Sequence, residues 1–274
     1  MPELPEVETT CTGIRPFLLN QTIAQLIVRQ HKLKQPVPAD IVEKTRGKTI
    51  TQVSRRAKYI LLHLSEGCLL IHLGMSGHLR INSHTQAQKH DHIDLCLENN
   101  TVLRYHDPRR FGLWTYHENS PVQSHPLLVN LGPEPLSDAF HANYFYKKAM
   151  RRTKAIKSFI MDHHIIVGVG NIYATESLFL TNIHPLTPAN RLSKRQCDLL
   201  CKTIKQVLRQ AIAAGGTTLR DFYSANGTPG YFAITLNVYG KQGQACPQCA
   251  TVIETITIGA RRSTYCPCCQ IRAY

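Results

Sequence analysis

Apolar residues follow two different periods along this chain. Near the start, Leu4, Val7, Cys11, Ile14, Phe17 and Leu18 recur mostly every three or four positions, which predicts a helix over residues 4–19. Between residues 22 and 120 the pattern becomes that of strands. Ile23–Val28, Thr49–Val53, Tyr59–Leu64, Leu69–Leu73, Ile93–Leu97 and Val102–His106 are short β-rich runs. Ser65-Glu66-Gly67 and Glu98-Asn99-Asn100 are the clearest hairpin turns among them. Six or more such strands predict a sandwich or flattened barrel. Residues 121–135, with Pro121, Pro126, Gly132, Pro133 and Pro135, read as a linker. The helical period then returns at about 137–148, 154–162, 171–180 and 193–214. A polar loop spans 216–230, and residues 234–274 read as strand-like. The expected class is therefore α+β in two domains. An N-terminal β-sandwich with a leading helix (1–120) is joined by the 121–135 linker to a helical region (136–233) and a C-terminal module (234–274).

Charge narrows the function. Among 274 residues, 32 Lys+Arg against 18 Asp+Glu leave a formal net charge of +14. Such an excess points to a polyanionic partner, most often nucleic acid. No apolar run is long enough for a membrane span and no basic amphipathic helix stands out, so no membrane partner is expected.

Five of the ten cysteines crowd the C-terminus: Cys246, Cys249, Cys266, Cys268 and Cys269. Cys246-x2-Cys249, sixteen residues, then Cys266-x2-Cys269 is the spacing of two zinc knuckles. Four thiolates close a tetrahedral shell and leave no position for water, so one structural Zn²⁺ is expected. It would fold a module of about 40 residues that is too small to hold a core alone. The x2 spacing selects Cys269 over Cys268. Cys11, Cys68, Cys96, Cys197 and Cys201 read as inert buried thiols.

The first residues carry chemistry of another kind. Met1-Pro2-Glu3-Leu4-Pro5-Glu6-Val7-Glu8 is too acidic and proline-rich for a targeting peptide. Pro5 suits a first helical turn, and Glu6 and Glu8 suit the positive end of the helix dipole. With Met1 removed, Pro2 presents a secondary α-amine, whose class titrates near pH 7.7–8.0 rather than about 10.4 for lysine. Such an amine attacks an electrophilic carbon to form an iminium that keeps its positive charge and draws electrons. Glu3, next to it, can supply or take a proton.

Other candidates are weaker one by one. Gly168-Val169-Gly170-Asn171 brings a turn into a helix start, a place that binds phosphate and also occurs as an ordinary cap. The run 151–157 holds four cations and reads as a solvated charge face or a phosphate contact. Lys58 leads into an apolar strand, which fits either a desolvated functional lysine or an edge-strand residue. Met75 and Phe111 are large apolar residues in glycine-flanked turns. They suit either the core or a wedge pushed between bases. His90-Asp91-His92 lacks the spacing of a metal site.

Taken together these segments resemble formamidopyrimidine-DNA glycosylases along essentially the whole chain. The resemblance rests on residues 1–9, Arg56-Ala57-Lys58-Tyr59, His72-Leu73-Gly74-Met75-Ser76-Gly77, Asp107-Pro108-Arg109-Arg110-Phe111-Gly112 and Leu131-Gly132-Pro133-Glu134-Pro135-Leu136. It continues through Gly168-Val169-Gly170-Asn171-Ile172-Tyr173-Ala174, Gly215–Phe222 and Val238-Tyr239-Gly240. It implies a helix-two-turns-helix region before a β-hairpin zinc finger. The implied function is a bifunctional DNA glycosylase/AP lyase of base excision repair. Such an enzyme removes 8-oxoguanine and formamidopyrimidines from damaged double-stranded DNA, and is expected as a monomer in the bacterial cytoplasm at the nucleoid. An endonuclease VIII-type enzyme for oxidised pyrimidines is the near alternative, and Leu4-Pro5 argues against it. A catalytically silent zinc protein that binds DNA is the other.

The resemblance also implies roles. Pro2 is the nucleophile at C1′, Glu3 the proton shuttle and Lys58 a catalytic helper that contacts phosphate. Met75, Arg109 and Phe111 fill the gap left by a flipped base, with Arg109 facing the orphaned cytosine. His90, Arg109 and Arg152 match DNA contacts, and Asn171 the phosphate-gripping turn. The 216–230 loop covers the everted base. An arginine ahead of Cys266 completes the phosphate clamp. Arg261-Arg262-Ser263-Thr264-Tyr265-Cys266 departs from the family pattern, so counting back from Cys266 selects Arg261 while matching Arg-Ser-Thr selects Arg262. His163 stands where the family usually has glutamine.

Overall fold

Glu3 starts the first element by closing a capping box. Its backbone N–H donates to Glu6 Oε2 at 2.8 Å, and its own carboxylate accepts from the Glu6 N–H. These bonds satisfy donors that a helix start leaves open. The helix that follows, α1 (Leu4–Leu18), buries Val7, Cys11, Ile14 and Leu18. The computed structural model describes residues 2–82, 86–118, 121–215 and 236–272. They form two compact units, one within 2–129 and 214–215 and one within 130–213 and 236–272.

The first unit is a β-sandwich. One sheet has the order β1 (Ile23–Val28), β6 (Asp91–Leu97), β7 (Val102–His106), β5 (His78–Asn82). The other runs β2 (Ile50–Arg56), β3 (Tyr59–Leu64), β4 (Cys68–His72), β8 (Leu113–His117). Every pairing is antiparallel. Inward residues of both sheets, among them Leu26, Val53, Leu62, Ile71, Leu79, Leu95, Leu103 and Trp114, join the buried side of α1 in one core. A short helix, α2 (Ile41–Thr45), packs on β1. Three of the six expected strands have the bounds read from the sequence. The other three shift by one to three residues at an end, as bounds commonly do.

Two strands escape the pattern. β5 lies in a polar stretch, His-Leu-Arg-Ile-Asn, and β8, Leu-Trp-Thr-Tyr-His, buries only its first two residues. Both edge their sheets and have one partner each, so neither needs a continuous apolar run.

The second unit holds α3 (Ala142–Ala149), α4 (Ile156–Ile160), α5 (Asn171–Leu180) and α6 (Lys194–Ala213), then the hairpin β9 (Glu254–Ile258) and β10 (Arg261–Tyr265). The helix expected at 137–148 begins at Ala142, because His141 Nδ1 accepts from the Tyr144 N–H and caps it. α5 is buried nearly throughout, including Thr175, Glu176 and Ser177. Phe179 on α5 packs with Val238, Cys246, Ile253 and Cys266 in a small satellite core. Among the described residues no helix is long and apolar enough to cross a membrane.

Candidate active site and metal centre

Pro2 and Glu3 are both buried at the head of α1. The capping box fixes Glu3, and so holds the one carboxylate adjoining Pro2 at the positive end of the helix. In the same unit Lys58 sits in a two-residue turn between Arg56 and Tyr59, which pair across β2 and β3. Ala57 takes a φ of 54° to make that turn. Lys58 is half-buried. Its charge reaches the imidazole of His72, whose pKa burial above all, and then Lys58 and Lys34, push down to about 4. The Gly74 N–H donates to His72 Nδ1 at 2.9 Å, so His72 stands neutral with its proton on Nε2.

Met75 and Phe111 are not core residues. They are 41% and 43% exposed, on turns that follow β4 and β7. Arg109 is exposed too, with its guanidinium 4.9 Å from the Phe111 ring centre, a cation–π stack. A Cβ at Gly74 would collide with the Phe111 backbone, so the two turns lie against each other and glycine is needed there. His90 is half-buried at a φ of 74°. Its neighbour Asp91 is buried and accepts from Arg80, His106 and the Gln88 N–H. That carboxylate is already taken up by protein donors, as a structural group would be.

In the second unit Arg152 is exposed ahead of α4. Gly170 is the N-cap of α5 and Asn171 its first residue, with Gly168 at a φ of 79° in the turn before it. The Asn171 amide donates to the Arg262 carbonyl at 3.2 Å. Lys157 corrects the reading of 151–157 as a solvated face. It is only 1% exposed, and its ammonium donates to Ser263 Oγ at 2.7 Å and to the Arg262 carbonyl at 3.4 Å. Side chains alternate along a strand, so Arg261 shares the Ser263 face of β10 while Arg262 takes the other. Arg261 lines a small cavity with Lys157, Ser158 and Met161.

Of three buried polar residues that organise these places, Asp107 opens the 107–112 segment with no role read for it, Lys157 hides in the basic 151–157 run, and Glu176 carries no sequence signal. None forms a motif by spacing. Only the Asp-Pro start of the 107–112 turn was a signal, since Asp favours turn initiation before proline. The 216–230 loop lies outside the described residues.

The thiols of Cys246, Cys249, Cys266 and Cys269 all lie within 4.8 Å of one another. Sulfur separations are 3.9 Å for Cys246 to Cys269, and 3.4 Å for Cys249 to Cys266 and to Cys269. Four thiolates at a Zn–S distance of about 2.3 Å would be separated by about 3.8 Å, so the set fits a tetrahedral Zn²⁺. Cys268 is exposed and outside the set. Of the scattered thiols, Cys11, Cys68, Cys197 and Cys201 are buried and pushed up to about 11–12 by burial, which keeps them protonated and unreactive.

Three family models match the chain. They are the formamidopyrimidine-DNA glycosylase N-terminal domain over residues 1–114, its H2TH domain over 131–223, and a zinc finger found in FPG and IleRS over 243–271. A formamidopyrimidine-DNA glycosylase of Legionella pneumophila is 55% identical over 98% of both chains. One from Hydrogenovibrio crunogenus is 54% identical over 98% of this chain and 96% of its own. Among solved structures, MutM (Fpg) of Thermus thermophilus superposes over all of both chains with a TM-score of 0.89 at 36% identity. Lactococcus lactis Fpg bound to DNA with an abasic site gives 0.91 at 33% identity, covering 98% of this chain and 100% of that one. A mutant of the same protein bound to Fapy-dG DNA gives 0.92 at 33%, over 99% and 100%.

Proposed function

The chain belongs to the formamidopyrimidine-DNA glycosylase family, and we propose which of its residues carry the reaction. It is a DNA glycosylase with AP lyase activity that removes oxidised purines from damaged double-stranded DNA, and it carries one structural Zn²⁺ on Cys246, Cys249, Cys266 and Cys269. We assign it as a monomer working at the bacterial nucleoid in the cytoplasm. We assign the domain division at 1–120, 136–233 and 234–274, with 121–135 as linker.

Once Met1 is removed, the Pro2 amine attacks C1′ of the damaged nucleotide. The N-glycosidic bond breaks and the base leaves with a proton. Glu3 protonates the sugar ring oxygen as the ring opens, and the product is a Pro2 iminium at C1′. That cation makes the 2′ hydrogens acidic. Loss of one breaks the C3′–O bond, and a second elimination breaks the C5′–O bond, leaving a one-nucleotide gap. Lys58 assists at the phosphate, and Arg261 in the last elimination. Met75, Arg109 and Phe111 offset the cost of everting the base, a few kcal/mol. His90, Arg152 and Asn171 hold the DNA backbone. The observation that carries this reading is the capping box. It buries Glu3 in a fixed position beside Pro2, in the unit that also holds Lys58.

Borohydride reduction during turnover of an 8-oxoguanine duplex tests it. A covalent protein–DNA complex is expected, confirmed by N-terminal mass after digestion. No complex from Met1-free protein would overturn the assignment of Pro2.

A further inference from the structure

Asp107 is fully buried, yet its carboxylate is surrounded by donors from two separate turns. Oδ1 accepts from the Ser76 hydroxyl at 2.8 Å and from the Arg109 N–H at 3.3 Å. Oδ2 accepts from the Tyr105 hydroxyl at 2.8 Å and the Gly112 N–H at 2.9 Å. Ser76 adjoins Met75, and Gly112 adjoins Phe111. The backbone of Asp107 is engaged as well. Its N–H donates to the His90 carbonyl at 3.0 Å, and its carbonyl accepts from His92 Nε2 at 2.8 Å and from the Arg110 N–H at 3.2 Å.

One residue therefore touches the chain at or next to Met75, His90, Arg109 and Phe111. The packing beneath is equally tight. A Cβ at Gly77 or at Gly112 would run into the Tyr105 hydroxyl, so both turns close directly on the side chain that donates to Asp107. A carboxylate has about four lone-pair sites, and here four protein donors fill them. Exposed apolar side chains on surface turns are ordinarily mobile and would lose entropy on entering a stack. A brace below the turns removes part of that cost before DNA arrives.

We infer that Asp107 is the positioning residue for the base-gap side chains, locking the Met75 turn to the Arg109–Phe111 turn so that both enter the duplex as one rigid wedge. It touches neither base nor sugar. The inference rests on the reading of Met75, Arg109 and Phe111 as residues that enter the gap.

The test compares two substrates. Excision from an 8-oxoguanine duplex needs the wedge. Strand cleavage at an abasic site in a single-stranded oligonucleotide has no stack to open. In Asp107→Asn an amide N–H₂ replaces one acceptor and faces a donor. The ratio of the two single-turnover rates should fall at least tenfold, and 2-aminopurine placed beside the lesion should lose its fluorescence rise on binding. Ser76→Ala, which cuts only the link to the Met75 turn, should lower the ratio at least threefold and serves if Asp107→Asn does not fold. Met75→Ala and Phe111→Ala should lower it too. If they leave the ratio unchanged, the wedge reading itself fails. If they lower it while Asp107→Asn and Ser76→Ala stay within twofold of the parent, the wedge stands and the brace is overturned.

Discussion

The Lys157 ammonium donates to the Ser263 hydroxyl at 2.7 Å, across 106 positions of sequence, with both residues buried. Lys157 belongs to α4 and Ser263 to the zinc-finger hairpin, so this bond joins helical region and finger within one unit. The Arg262 carbonyl beside it accepts from Lys157 and from Asn171. The backbone of the paired arginines is thus tied to α4 and to the start of α5.

An asymmetry follows from the cost of buried charge. Ser263→Ala keeps the ammonium buried but takes away the hydroxyl it donates to at 2.7 Å, and should cost about 1–3 kcal/mol. Lys157→Met removes the charge together with its desolvation penalty and keeps the volume, so it should cost less. The double variant should be more stable than Ser263→Ala alone. Urea midpoints of the three variants check the order, and a Lys157→Met loss larger than that of Ser263→Ala would contradict it.

Glu176 does for the finger's entry segment what Asp107 does for the two turns. Oε2 accepts from the Asn237 backbone and side-chain amides, both at 2.8 Å. Oε1 accepts from the N–H groups of Val238 and Tyr239, both at 2.9 Å. Glu176→Gln puts an amide N–H₂ against two of those donors. A loss of about 2–4 kcal/mol is expected, with faster proteolytic cleavage near residues 237–239 as the local readout. Unchanged cleavage would show that these bonds do not hold the segment.

Acid should weaken the sandwich through two buried histidines. Burial pushes His72 and His78 from an ordinary 6.5 down to about 4. Both are neutral when folded, while the unfolded chain takes up their protons as pH falls through 6.5. Their stabilisation is therefore complete above about pH 6.5 and lost progressively toward pH 4, by up to about 3 kcal/mol each. Asp91 and Asp94 lie below their ordinary 3.8 and act only in stronger acid. Urea midpoints at pH 7 and 4.5 should differ less in His72→Gln than in the parent. An equal difference would mean that His72 does not carry the effect.

Legibility in the sequence tracked local pattern. Tyr59–Leu64 and Asn171–Leu180 have the bounds that period and turn residues predict, because neighbouring residues alone decide them. The knuckle spacing likewise singles out Cys269, which joins the sulfur set while Cys268 stays outside. Lys157 was misread for the opposite reason. A lysine in a basic run is indistinguishable from its neighbours until β10, more than 100 positions later, supplies the acceptors. Asp107 and Glu176 are hidden in the same way, since a buried carboxylate is made tolerable by donors from distant turns. Met75 and Phe111 are ambiguous in sequence because large apolar residues beside glycine suit a core as well as a binding surface, and their exposure excludes the core.

Zinc should hold the finger and leave the sandwich alone. The finger's apolar support is small: Val238, Cys246, Ile253 and Cys266 against Phe179. Burying such side chains contributes about 1.5–3 kcal/mol each, which ordering of the segment consumes. A four-thiolate zinc site contributes about 10–16 kcal/mol in apparent binding free energy at neutral pH, so the metal decides whether β9 and β10 form. One zinc per chain is expected by metal analysis. Cys246→Ser or Cys269→Ser should abolish it and expose the amides of Glu254–Ile258 and Arg261–Tyr265 to hydrogen exchange. Protection in β3 and β4 should be unchanged, because those strands belong to a different core. Cys268→Ser should keep the full zinc content. Loss of zinc in Cys268→Ser with retention in Cys269→Ser would reverse the ligand assignment.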